Sequence, residues 1–69
     1  MEKINRLNTK KLIHREYELL ETVLKNGLLD RVVRERNFVY KFYSYNHQIV
    51  RVDFVKGCKT VLGVRVIGL

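Results

Sequence analysis

Proline, alanine and tryptophan are absent from these 69 residues, and cysteine occurs once. The lone cysteine, Cys58, rules out a disulfide within the chain, and its spacing to His14 and His47 fits no zinc pattern. No apolar run approaches the roughly 20 residues of a membrane span. The charged stretch Met1–Leu7 leads into no apolar segment of the kind that marks a secretory signal. Gly27, Gly57, Gly63 and Gly68 are isolated, so no glycine-rich loop is available to cradle a phosphate. There are no repeats, low-complexity tracts or linkers. These absences predict one small cytoplasmic domain over residues 1–69, with no metal and no cofactor.

What is present argues for folding. The chain is 46% hydrophobic, well above what a disordered segment carries. A domain of this size still buries only about 60% of its unfolded surface, so a second copy of the chain, a homodimer, is a natural source of extra burial. The net charge is +7 and is unevenly spread. Residues 1–30 hold six Lys/Arg against five Asp/Glu, whereas residues 31–69 hold eight against two. The positive field of the second half favours an anionic partner such as nucleic acid, an acidic protein or a membrane surface. Solubility alone accounts for a charge of this size equally well.

Residues 1–8 read as a frayed lead-in or a short helical extension. From 10 to 26, Leu12, Ile13, Tyr17, Leu19, Leu20, Val23 and Leu24 fall on one face at helical spacing, with charged residues opposite, which predicts an amphipathic helix. Asn8 or Thr9 suits its N-cap and Gly27 a left-handed terminator. Leu28, Leu29, Val32 and Val33 match a short second helix over 28–36, with an edge strand from Arg31 to Arg36 as the alternative. Three alternating runs follow, Phe38–Ser44, Gln48–Val55 and Thr60–Ile67, joined by short loops that make them antiparallel neighbours. The expected fold is α+β, an N-terminal amphipathic helix packed on a three-stranded antiparallel meander.

Register decides which residues meet solvent. A three-residue loop at 45–47 pairs Phe42 with Val50. It turns Phe38, Tyr40, Phe42, Val50, Val52, Phe54, Leu62, Val64 and Val66 toward the helix. The opposite face then carries Lys41, Arg51 and Arg65 in a row, with Tyr43 and Tyr45 beside them. Like charges directly opposite one another destabilise a sheet, and a bound anion relieves that. Cations interleaved with aromatic rings suit single-stranded or structured nucleic acid, with Arg31, Arg34 and Arg36 as further phosphate contacts. The same face exposes Val39, Ile49, Val55, Val61 and Ile67, which suits a protein interface instead, as does the free edge of the last strand.

Catalytic constellations are lacking. His14 lies on the polar helix face and His47 in a turn. Cys58 has Lys56 and Lys59 beside it to lower its pKa but no base to form a dyad. Asp30, Glu35 and Asp53 form no acid–base pair. The sequence therefore points to a binding module rather than an enzyme.

Overall fold

The computed structural model describes residues 3–68. Helix α1 spans His14–Asn26, and four strands follow: β1 Leu28–Arg34, β2 Phe38–Tyr45, β3 Gln48–Val55 and β4 Val61–Gly68. The sheet is an antiparallel meander in chain order β1-β2-β3-β4. The α+β class is as the sequence predicts, but the meander has four strands rather than three.

The extra strand replaces the short helix expected over 28–36. Gly27 ends α1 in an extended conformation (φ −85°, ψ 166°), not the left-handed one, and feeds the chain straight into β1. A Cβ at this position would stand 2.7 Å from the carbonyl oxygen of Val23. Glycine is therefore required by close approach rather than by φ. β1 hides from a period-two reading because a bulge between Leu29 and Arg31 breaks its alternation. The Ser44 hydroxyl donates to the carboxylate of Asp30, the bulged residue.

The helix starts later than its apolar spacing suggests, at His14 rather than residue 10. Glu16 caps it by accepting a hydrogen bond from the Ile13 N–H at 3.1 Å, one half of a capping box. Asn8, expected as a cap, instead forms a parallel bridge with Thr60. Its N–H donates to the Lys59 carbonyl (2.9 Å), and its carbonyl accepts from the Val61 N–H (3.0 Å). The lead-in is consequently anchored: Ile4–Arg6 form a 3-10 turn and Leu7 is buried in the core.

The β2–β3 connection fixes the rest. Asn46 and His47 both have positive φ (52° and 62°), which makes a two-residue hairpin turn of the kind that matches strand twist. It pairs Tyr45 with Gln48 and Phe42 with Arg51. The expected three-residue loop is thus replaced, and the one-residue difference reverses every side chain of β2. Tyr43 faces the helix and is buried, whereas Phe38, Tyr40 and Phe42 face away. A second bulge, between Asp53 and Phe54, shifts β4 so that Val61, not Leu62, enters the core. Val66 stays nearly half exposed. The core consists of Leu7, Leu20, Val23, Leu24, Tyr43, Val50, Val52, Phe54, Val61 and Val64.

A histidine held at positive φ is strained by about 1 kcal/mol relative to glycine. His47→Gly is expected to raise the melting temperature by about 4–8 °C, read by circular dichroism. A fall would show that the His47 side chain makes contacts that outweigh the strain.

Candidate nucleic-acid interface

α1 covers one face of the sheet. The other face is ordered in rungs of cross-strand neighbours, which share a face when directly opposite. One rung runs Arg31, Phe42, Arg51, Arg65 from β1 to β4. The next runs Val33, Tyr40, Asp53, Gly63. Phe38 lies beyond, opposite Val55, and Ile49 pairs with Ser44 at the other end.

The aromatic rings and guanidinium groups are in contact. Arg31 places its Cζ 4.8 Å from the centroid of the Phe42 ring, and Arg51 places its own 5.1 Å from that of Tyr40. Phe38 and Tyr40 stack with centroids 6.3 Å apart and planes 24° apart. The Arg51 guanidinium is held by Asp53, with Nε donating to Oδ1 at 2.8 Å and Nη2 to Oδ2 at 3.2 Å. Such a two-point contact fixes the plane of the group as well as its position. Lost hydration first, and then the hydrogen bond and charge of Glu35, push the Tyr40 phenol above its ordinary pKa.

Three of the residues expected to meet nucleic acid leave this face. Lys41 pairs with Val52 on the helix side, and its Nζ lies 5.0 Å from the Phe54 ring centroid. Tyr43 is in the core, and Tyr45 packs against it. Arg51 and Arg65 do stand opposite each other, and Arg31 joins them across Phe42. Arg34 is exposed opposite Val39 on the helix side of β1, and Arg36 is exposed in the β1–β2 connection. Asp53 balances Arg51, so repulsion along a cationic row no longer argues for an anion. The interleaved rings and guanidiniums do.

The apolar residues expected together on this face are dispersed. Ile49 and Val55 belong to it, and Ile67 is exposed near the end of β4. Val61 is fully buried. Val39 lies on the helix side and lines a hollow of about 150 Å³ with Lys41, Phe54, Val55 and the β3–β4 turn. Phe38, Tyr40 and Phe42 were legible only through the Asn46-His47 turn, whose asparagine is a favoured first residue of a two-residue hairpin.

No family model matches the chain, and neither does any curated protein or solved structure at a significant level.

The chemistry available elsewhere is slight. His14 pairs with Glu18 at 3.2 Å on the exposed side of α1. Among the described residues no three His, Cys, Asp or Glu side chains are close enough to hold a metal, and no helix is long and apolar enough to cross a membrane. The exposed Cys58 thiol has its pKa lowered by a hydrogen bond from the Thr60 hydroxyl, with the Thr60 backbone second. The neighbouring lysines are not the cause. Thr60→Val is expected to slow alkylation of Cys58 by iodoacetamide at pH 7.5 by about threefold, because less thiolate is present. An unchanged rate would remove the Thr60 hydroxyl as the source of the shift.

Proposed function

We propose that this protein is a small, non-catalytic binding module of the cytosol that holds single-stranded nucleic acid on the uncovered face of its sheet. One observation carries the reading. Phe38, Tyr40 and Phe42 line β2 on that face, and Arg31 and Arg51 lie over two of these rings. Stacking platforms bordered by cations hold unpaired bases and phosphates at once, and every base offers a ring face, so the expected recognition is tolerant of sequence. Phe38 and Tyr40 would take the bases. Arg31, Arg51 and Arg65 would take phosphates. Arg36 and Lys56 extend the positive field at the Phe38 end, where the Lys56 N–H donates to the Asn37 carbonyl and ties the two loops together. An exposed, unpaired thiol at Cys58 suits a reducing compartment.

Fluorescence anisotropy with a labelled, mixed-sequence 20-nucleotide RNA tests the proposal. With three phosphate contacts, affinity is expected to fall about 20-fold between 50 and 200 mM salt. Absence of binding, or binding indifferent to salt, would sink the reading. It would return weight to an acidic or apolar protein partner.

A further inference from the structure

The three rings of β2 on the uncovered face leave two intervals, and the two are filled differently. Arg51 stands opposite Phe42, on the far side of Tyr40 from Phe38, and its guanidinium reaches back over the Tyr40 ring. Arg31 also stands opposite Phe42, on β1, and lies over that ring. Guanidinium groups therefore crowd the Phe42 side of Tyr40. Phe38 and Tyr40, in contrast, stack on each other, with centroids 6.3 Å apart and planes 24° apart. Alternate residues of a strand are about 6.8 Å apart, which equals two base-stacking steps of about 3.4 Å. A flat base fits between these two rings once they part by about 0.5 Å and become parallel. A carboxylate stands at the rim of this interval. Glu35 follows Arg34 and, by strand alternation, shares the uncovered face with Val33. Its N–H donates to the Phe38 carbonyl at 2.9 Å, and its carboxylate accepts from the Tyr40 hydroxyl. The two bonds tie Glu35 to the residues on both sides of the interval. Glu35 is exposed, and its two oxygens keep acceptor capacity beyond the Tyr40 bond. Asp53, the other carboxylate beside Tyr40, is engaged by Arg51.

We propose that one guanine of the bound strand inserts between Phe38 and Tyr40 and is read by the Glu35 carboxylate. Guanine alone among the four bases sets two donors, N1–H and N2–H, side by side on its Watson–Crick edge. One carboxylate accepts both. Adenine, cytosine and uracil each offer a single donor group on that edge with an acceptor beside it, and the acceptor repels the carboxylate. The neighbouring nucleotides lie on Arg31, Arg51 and Arg65, whose contacts with phosphate carry no sequence information. Recognition is thus tolerant along the strand and selective at one position. The inference rests on the nucleic-acid reading and adds a base preference to it.

Fluorescence anisotropy at 50 mM salt with four labelled 12-nucleotide RNAs tests it. One is oligouridylate, and the others carry a single central guanine, adenine or inosine. The guanine strand is expected to bind about tenfold more tightly than the adenine strand, towards the lower end of what a two-point base contact gives, because Glu35 is exposed. Adenine controls for the larger purine ring. Inosine lacks the N2 amine and should fall between the two. Glu35→Ala removes the acceptors and is expected to bring the guanine and adenine strands within about twofold of each other. An undiminished preference in that variant overturns the proposal. Equal binding of the guanine and adenine strands by the unaltered protein overturns it while leaving the nucleic-acid reading intact, whereas failure of all four strands to bind removes both. Complete displacement of the guanine strand by 1 mM guanosine monophosphate overturns it as well, by making a free nucleotide the occupant. The four strands on the unaltered protein decide the matter even if Glu35→Ala fails to fold.

Discussion

Leu20→Ala is expected to leave most of the protein unfolded at 25 °C. Leu20 is fully buried and lies in the core with Val23, Val50, Val52 and Val61. Truncating a buried leucine to alanine costs about 2–5 kcal/mol, from the lost transfer energy plus the cavity left behind. A core of this size supplies roughly 3–5 kcal/mol in total. The two figures are comparable, so little or no stability remains. No disulfide is available to offset the loss, because Cys58 has no partner cysteine. α1 is also the only α-helix among the described residues, so no neighbouring helix can move in to fill the gap. Urea titration followed by far-ultraviolet circular dichroism measures the effect, and a midpoint lowered by about 2 M or more is expected. Leu29→Ala serves as the control. Leu29 is half exposed in β1, and its truncation should change stability by no more than about 0.5 kcal/mol. A small loss at Leu20, close to that at Leu29, would mean that α1 does not seal the sheet.

The amphipathic helix, the three long strands and the α+β class were all legible, because each rests on a local period that burial imposes directly. What failed was what bulges and turns control. β1 was misread because the bulge at Asp30 interrupts its alternation, leaving Leu28, Leu29, Val32 and Val33 at spacings that mimic a helix. The faces of β2 were reversed because both of them carry apolar and aromatic residues. Phe38, Tyr40 and Phe42 alternate with Val39, Lys41 and Tyr43, so hydrophobicity cannot say which set is inside. The tie is broken by the turn. Asn46 and His47 at positive φ shorten the loop to two residues and commit Tyr43 to the core. A longer loop keeps Phe42 opposite Val50, which is why the apolar pattern favours it. Phe42 opposite Arg51 costs little, because guanidinium groups and rings are in contact on that face. In the same way the bulge before Phe54 exchanged Val61 for Leu62. Of the residues expected to meet nucleic acid, Arg51 and Arg65 keep their place on the uncovered face because β3 and the middle of β4 kept the expected register, whereas Arg31 reaches it through β1, the strand that replaces the expected helix.

Tyr40→Leu is expected to weaken binding of single-stranded RNA by about 5- to 150-fold, the range that corresponds to losing one stacked base. Leucine keeps an apolar side chain on the strand and removes the ring, so the fold should persist while the platform loses its middle member. Tyr40→Phe keeps the ring and is expected to bind within about twofold of the parent. Together the two variants separate stacking from the hydroxyl bond to Glu35. Arg51→Glu should act more strongly still, since it deletes the cation over Tyr40 and sets a carboxylate beside Asp53. The decisive comparison is with Lys41→Ala. Lys41 is adjacent to Tyr40 in sequence and carries a full charge, yet its side chain lies over Phe54 on the helix side. Nucleic acid on the uncovered face would feel it only as a distant, screened charge, with a loss of about twofold. Measured by anisotropy at 50 mM salt, a large effect at Tyr40 with a small one at Lys41 places the strand on the aromatic face. The reverse order would place it on the helix side, against Lys41 and Lys59, and the stacking platform would have no ligand.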